Sequence, residues 1–273
     1  MSSEKSPPRW DNDETRRLVH LVYGSSQLML LRPAQRAVNY RMSHAEYHYR
    51  EYQRITQAHI DSKLHTGSDI WEVTSPTSDE EANRMATFYI ECEAHLYAFL
   101  QAVHAAADNL AHVVYYVLGL NLGAGIKGRV SLDSIEKHVG KMAQTTPTLI
   151  PVANLLSELK RASTFVDLND LVNHLKHHGG PSVGISLQPS ADKAYEIQFG
   201  SFLRDSQHRR AISASQFLAD SHQVLNVAIV NVGIALGTWL ESAVSQKALT
   251  WGFAKSPDEP TEAVAPTRSP QST

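Results

Sequence analysis

Apolar side chains recur at steps of three and four through most of this chain, and that spacing is typical of amphipathic α-helices. The longest run opens on the capping box Ser78-Asp79-Glu80-Glu81 and continues to Val117, so we predict that it forms the central helix of a bundle. Two further helices are predicted before this run and three directly after it, near residues 13–31, 34–64, 131–142, 147–162 and 167–178. The first of these has a weak point at Gly24-Ser25-Ser26.

The pattern changes to alternation of apolar and polar residues over 182–187 and again over 195–199, and the segment 189–192 between them favours a loop. We therefore predict a β-hairpin. Ser213 and Gln216 have the spacing of a capping box and open a last long apolar helix that reaches about Ala248. The predicted fold class is mainly α: a helical bundle around a long central helix, with one β-hairpin inserted before the last long helix.

The two ends of the chain lack this periodicity. We expect a single helical domain over residues 11–250, a disordered tail at 1–10 and a Pro/Ser-rich disordered tail at 251–273. The N-terminus lacks the apolar core of a signal peptide. The apolar run from Val224 to Leu240 is interrupted by two asparagines and a glycine, which favours a buried core helix over a membrane span. We expect a cytoplasmic protein with no membrane partner.

Composition narrows the classes of function. The net charge of -3, with histidine neutral, gives no overall basic field, so binding of RNA would require a local cluster of cations. A single cysteine, Cys92, excludes an internal disulfide and a zinc site built from several thiolates.

Two short motifs resemble known ligand sites but have the wrong context. Residues 123–128 read Gly-x-Gly-x-x-Gly, but a dinucleotide site needs this sequence between a strand and a helix, and here a long helix precedes it. His44 and His48 are one turn apart, but the metalloprotease motif has glutamate directly after the first histidine, whereas Glu46 lies between them. The histidines at 174–178 lack a partner that completes a tetrahedral metal site. We expect no cofactor and no metal.

The clearest functional pattern belongs to the helix predicted at 167–178. Asp167 is expected to be its N-cap, and Gly179 to adopt the left-handed conformation that ends it. Asn173 and His177 are four residues apart, so both side chains lie on one side of the helix. Lys176 and His178 lie at the same helix end, where cations suit the negative pole of the helix dipole. Two interpretations stay open: a polar site, or a capped surface helix with a basic C-terminus.

A second polar stripe lies on the predicted central helix. His104, Asp108 and His112 follow each other at intervals of four, beside the apolar seam. A carboxylate between two imidazoles can orient a ring and raise its pKa. The alternative is a buried polar network or an ion pair with another helix. If this stripe faces Asn173 and His177, the two helices share one polar pocket.

Basic residues are numerous in the same half of the chain, as contacts with phosphate would require. They are Lys127, Arg129, Lys137, Lys141, Lys160, Arg161 and Lys176, followed by Arg204, His208, Arg209 and Arg210. Asp133, Glu136 and Glu158 intervene, so an ordinary solvated surface is the default interpretation.

The segment Leu171-Val172-Asn173-His174-Leu175-Lys176-His177 resembles the Arg-Asn-x-x-x-His signature of HEPN ribonucleases, and Asp108 in the preceding long helix is similar to that family's pattern. As a helical architecture, the resemblance covers about residues 80–245. It implies a bundle that dimerises and brings two motif helices into one cleft, where arginine and histidine cleave RNA without metal through the ribose 2′-hydroxyl. Here Val172 occupies the arginine position, and valine can neither pair with phosphate nor donate a hydrogen bond.

Three hypotheses for function follow. The first is a non-catalytic HEPN-like protein that binds RNA, a nucleotide or a partner protein in a polar cleft at Asn173 and His177. Its further binding residues would be His104, His112, His174 and His178. The second is a metal-independent endoribonuclease with a degenerate site, in which Lys176 and Asp108 assist Asn173 and His177. The third is a structural helical adaptor whose contact face is the aromatic helix from Tyr40 to Tyr52. We expect a homodimer.

Overall fold

The computed structural model describes residues 8–63, 74–123, 129–187, 195–204 and 207–250. Seven α-helices lie in these residues: α1 (Asn12–Tyr23), α2 (Ser25–Lys63), α3 (Asp79–Val117), α4 (Leu132–Ala143), α5 (Ile150–Arg161), α6 (Ser163–His178) and α7 (Ala214–Thr250). A 3-10 helix at Pro147–Leu149 precedes α5. The mainly α class, with a small antiparallel region before the last helix, is confirmed. Residues 1–7 and 251–273, predicted as tails, the Gly-rich stretch 124–128 and the predicted loop at 189–192 lie outside the described residues.

The central helix is α3, as predicted. Its N-cap residue Ser78 accepts a hydrogen bond at Oγ from the Glu81 N–H at 3.2 Å. The Glu81 carboxylate accepts from the N–H of Thr77 at 2.7 Å, so the reciprocal half of the capping box lies one residue earlier than predicted. The helix contacts α2, α4, α6 and α7, which explains why apolar residues recur around it. Its fully buried side chains include Leu96, Leu100, Val103, Leu110 and Val114.

The break between α1 and α2 lies at Gly24. This residue has a φ of 85°, which favours glycine, and its N–H donates to the His20 carbonyl at 2.8 Å. From Ser25 the chain is helical again and continues past Pro33 to Lys63. The predicted boundary between residues 31 and 34 is therefore wrong, and the predicted weak point at Gly24 is where the first helix ends.

The chain before α1 is anchored by Trp10, which the sequence analysis assigned to a tail. The Trp10 side chain is half-buried, and its Nε1–H donates to Thr15 Oγ1 at 2.8 Å. Its ring fills the place that a Cβ at Gly233 of α7 would occupy. The ordered bundle therefore includes Trp10.

Five short strands lie between α6 and α7 in the described residues. β1 (Val183–Leu187) and β2 (Tyr195–Phe199) form the predicted antiparallel hairpin, with Val183 opposite Phe199. Three more strands were not predicted: β3 (Phe202–Arg204), β4 (Gln207–Arg209) and β5 (Ile212–Ser213). The strand β3 pairs with β4, whereas β5 extends the first sheet beside β2. Strands of two or three residues are too short for alternation to reveal them.

The helix α6 begins four residues before its predicted start. Its first residue is Ser163, so Asp167 lies inside the helix and the prediction of Asp167 as N-cap is wrong. Phe165, which is buried, continues the apolar stripe of the helix toward its N-terminus and explains the extension. At the other end, Gly179 has a φ of 82° and ends the helix as predicted.

The last helix, α7, begins at Ala214, directly after Ser213. The Gln216 amide donates to Asp220 within the helix at 2.8 Å instead of reaching back toward Ser213. By length and hydropathy, residues 214–247 are long and apolar enough to cross a membrane, a property that core helices of soluble proteins share. One side of α7 packs against α1, α3, α5 and α6, while Val227 and Ile234 face outward. The predicted core helix is therefore buried on one side only.

Candidate functional site

The C-terminal end of α6 is fixed by contacts with α3. Leu171 is fully buried on the apolar side of α6. Beyond the helix, the Tyr97 hydroxyl of α3 donates a hydrogen bond to the Pro181 carbonyl at 2.6 Å. The Tyr97 ring fills the place that a Cβ would take at Gly180, so any larger residue at this position would displace the ring. The polar residues near this helix end therefore project from a rigid frame.

Three polar side chains form a hydrogen-bonded group between α3 and α6, called here the inner polar group. Asn169 Oδ1 lies 3.2 Å from His104 Nε2 and accepts a second hydrogen bond from Asn173 Nδ2, also at 3.2 Å. Because an amide oxygen only accepts, His104 donates through Nε2–H. The structure thus joins the predicted residues His104 and Asn173 through Asn169, which the sequence analysis did not single out.

Burial keeps His104 neutral. Burial is the main cause that lowers the pKa of His104 below 6.5, and the charges of Lys176 and Arg129 lower it further. The Asp108 carboxylate and the hydrogen bond to Asn169 oppose this shift without overcoming it. At neutral pH His104 is therefore a hydrogen-bond donor in a polar network and carries no charge.

The other two residues of the predicted α3 stripe have different neighbours. Asp108 Oδ1 accepts a hydrogen bond from the N–H of Leu132, the first residue of α4, at 3.3 Å, and Oδ2 lies 4.0 Å from Arg129 Nη2. A carboxylate at a helix N-terminus is stabilised by the helix dipole, so Asp108 secures α4 to α3. The ring of His112 lies beside Tyr116, with 6.4 Å between the centroids. Neither side chain is among those that join Asn173.

An open cavity of about 510 Å³ lies at the end of α6, called here the α6-end cavity. Its lining residues are Asn173, His174, His177, His178, Leu203 and Arg204. Asn173 belongs to both the cavity wall and the inner polar group, so it links the two. Four of the predicted site residues thus meet in one wall, whereas Lys176 is exposed beside it. Val172, at the position of the motif arginine, is only 1% exposed and lies in the core.

His174 is the most enclosed histidine of the cavity. Its ring lies 4.6 Å from that of Phe202 and 5.2 Å from that of His178, between centroids. Burial, and then the neighbouring His178, lower the pKa of His174. Within the described residues its Nδ1 is buried and has no hydrogen-bond partner. The His174 ring is therefore neutral at pH 7, and its Nδ1 is without a hydrogen-bond partner among the described residues.

An ion cluster holds the β3–β4 hairpin against α6, and the hairpin forms the opposite wall of the α6-end cavity. The carboxylate of buried Asp170 lies 3.0 Å from Arg204 Nε and also binds Arg209. Arg204 Nη1 donates to the carbonyls of Asn169 and Asp170 at 3.4 and 3.3 Å. We call these contacts the hairpin anchor. Because of them, Leu203 and Arg204 reach the cavity from a strand that is distant in sequence.

Most of the other basic residues that the sequence analysis grouped together lie elsewhere. Lys137 and Lys160 both pair with Asp133, and Lys160 also lies 3.2 Å from Glu136. Lys127 lies outside the described residues. His208, Arg209 and Arg210 line a second cavity of about 590 Å³ next to the hairpin. The cluster is therefore divided, and of its members in the described residues only Arg204 lines the α6-end cavity.

The paired histidines of α2 also have a partner on α3. His48 Nδ1 lies 3.0 Å from His95 Nδ1, while His44 is exposed. In the part of the chain that the structure describes, no group of three or more histidine, cysteine or acidic side chains is arranged to hold a metal ion.

Comparisons with protein-family models, with curated proteins and with solved structures found no match for this chain. The fold and the site define a mainly α protein whose bundle carries a polar cavity at the end of α6, closed on one side by a two-stranded hairpin.

Proposed function

We propose that this protein is a non-catalytic, HEPN-like helical bundle that binds RNA or a nucleotide in the α6-end cavity. The observation that carries the proposal is the shared cavity: Asn173 and His177 line the same cavity as Arg204. An amide, an imidazole and a guanidinium are groups that contact bases and phosphates in protein–RNA complexes. We place this function in the cytoplasm.

Side chains have to supply the attraction for phosphate, because the C-terminus of a helix carries a partial negative charge. Lys176, His177 and His178 lie in the last turn of α6, and Arg204 adds a guanidinium from the opposite wall. Asp170 balances part of that guanidinium's charge. The exposed imidazoles offer flat surfaces on which an unpaired base can stack. The site should therefore prefer single-stranded RNA, with an affinity that falls as salt is raised.

Binding without cleavage is favoured by the position of Val172. Cleavage through the 2′-hydroxyl needs a cation that stabilises the charge on phosphate as well as a general acid or base. The side chain at residue 172 is buried, so even an arginine there could not reach the cavity without leaving the core. An endoribonuclease is therefore the weaker alternative.

The resemblance to HEPN proteins also implies a homodimer in which two α6 ends share one cleft, and we include this in the proposal. Light scattering coupled to gel filtration tests it directly. A mass of twice the chain mass of 30.3 kDa is expected, and a monomer at the concentrations where RNA binds would contradict it.

The binding proposal is tested with a fluorescein-labelled, unstructured 12-nucleotide RNA, whose anisotropy is followed as the full-length protein is added. Lys176→Ala and His177→Ala should each weaken binding about fivefold, the effect of losing roughly 1 kcal/mol of contact. Lys137→Ala is the matched control, because Lys137 is an exposed lysine paired with Asp133 outside the cavity. Equal affinities of all three variants would show that the cavity is not the binding site. The same RNA is run on a denaturing gel: cleavage by the wild type that His177→Ala abolishes would establish the endoribonuclease instead.

A further inference from the structure

One long face of α2 points away from α3 and is exposed. The exposed residues of this face are three or four positions apart in the sequence. We call them the α2 outer face: Met29, Arg32, Arg36, Tyr40, His44 and Tyr47. Met29, Tyr40 and Tyr47 expose 66%, 59% and 56% of their surface, although large apolar and aromatic side chains are usually buried. The opposite side of the helix, with Leu31, Val38 and Ala45, is buried. The outer face is thus unpartnered within the bundle.

The charge of this face is unusual for a chain of net charge -3. Residues 15–45 contain five arginines and no aspartate, glutamate or lysine. Two of those arginines, on α1, pair with Asp13 and Glu14, whereas within the described residues no ion pair is formed by Arg32 or Arg36. The next acidic residue, Glu46, pairs with Arg50. The α2 outer face therefore keeps a positive charge that no carboxylate among the described residues pairs with.

The composition of the face favours a protein over other partners. Protein interfaces are enriched in arginine, tyrosine and methionine and depleted of lysine, glutamate and aspartate. RNA would use the arginines but would gain little from Met29 or from the neighbouring exposed Leu30. A second copy joined through the same face would bring the arginines of both copies together, which like-charge repulsion opposes.

We infer that the α2 outer face binds an acidic amphipathic helix of a partner protein. From Met29 to Tyr47 the face spans about 27 Å, the length of a helix of about 18 residues. Acidic side chains of that helix would pair with Arg32 and Arg36, while its apolar side chains would cover Met29, Tyr40 and Tyr47. None of these residues lines the α6-end cavity, so the inference stands or fails independently of the RNA proposal.

The test selects a phage-displayed library of 20-residue amphipathic peptides on the full-length wild-type protein alone, and the selected peptides are then assayed for binding to the triple variant R32E/R36E/Y40A. The selected peptides should combine acidic and apolar residues at helical spacing. Against a synthetic selected peptide, Tyr40→Ala and Arg36→Gln should each weaken binding at least about tenfold, whereas Tyr40→Phe retains it. Arg84→Gln is the matched control: Arg84 is an exposed arginine of α3 that already pairs with Glu80. Exchanging charges, with Arg36→Glu in the protein and a basic residue in the peptide, should restore affinity.

Two results would overturn the inference. Peptides that lack acidic residues, or that bind the triple variant as well as the wild type, would show that the face is an ordinary solvated surface. The face would be assigned to nucleic acid if single-stranded RNA displaced the selected peptide and if both Arg36→Gln and Tyr40→Ala lost affinity for RNA.

Discussion

Replacing Asp170 tests the hairpin anchor. Its side chain is 7% exposed and lies between those of Arg204 and Arg209, which are 25% and 32% exposed. In Asp170→Ala the two guanidiniums face each other without the carboxylate. Breaking a buried ion pair costs about 3–5 kcal/mol, but water screens these partly exposed arginines, so we expect a loss of about 2–3 kcal/mol in the free energy of unfolding. For a bundle of this size, that lowers Tm by roughly 5–10 °C.

The assay is equilibrium unfolding in urea, followed by circular dichroism. Asp133→Ala is the matched control, because Asp133 also pairs with two cations, Lys137 and Lys160, but its side chain is 55% exposed. The control should cost less than about 1 kcal/mol. The double variant Asp170→Ala/Arg209→Ala should be less destabilised than the sum of the two single variants, because the two side chains contact each other. If Asp170→Ala unfolds within about 0.5 kcal/mol of Asp133→Ala, the anchor contributes no more than a surface pair and the reasoning is refuted.

Three further predictions concern Gly180, His104 and Cys92. Gly180→Ala should lower Tm by several degrees because the Tyr97 ring must move; Gly184→Ala, where a Cβ meets open space, is the control, and equal Tm values would contradict the role of Gly180. Lowering the pH from about 7 to about 5 should destabilise the wild type more than His104→Asn, because burial holds the folded-state pKa of His104 below 6.5 and the unfolded chain takes up the proton first. Urea unfolding at both pH values checks this, and an unchanged pH dependence in the variant argues against it. Burial raises the pKa of the Cys92 thiol to about 12, so native Cys92 should be alkylated by iodoacetamide far more slowly than in the unfolded chain, as mass spectrometry would show. Similar rates in the two states would mean that the thiol is accessible.

Local patterns explain which parts of the fold could be predicted. The helix α3 and the hairpin β1–β2 follow from periodicities that lie within one segment of sequence. The predicted boundary between residues 31 and 34 contains Pro33, a residue that usually disfavours a helix interior, but α2 continues past it. Asp167 reads as an N-cap, but burial of Phe165 extends α6 beyond it. In both cases contacts with other helices outweighed a local signal.

Some residues of the candidate site could be predicted from local spacing, and one could not. Asn173 and His177 could be predicted to share one side of α6 because they are one turn apart. Asn169 carried the same signal, being four residues before Asn173, and could have been found by extending the stripe. Arg204 could not, because the contact that brings it to the cavity joins it to Asp170, 34 residues earlier, through strands too short to predict.

The central claim, that RNA occupies the α6-end cavity, is tested most directly by photo-cross-linking. A single-stranded RNA containing 4-thiouridine is irradiated with the full-length protein, and the cross-linked peptides are identified by mass spectrometry. We predict cross-links within residues 169–178 and at β3, lost on addition of excess unlabelled RNA. Cross-links confined to other surfaces, such as the α2 outer face, would contradict the claim.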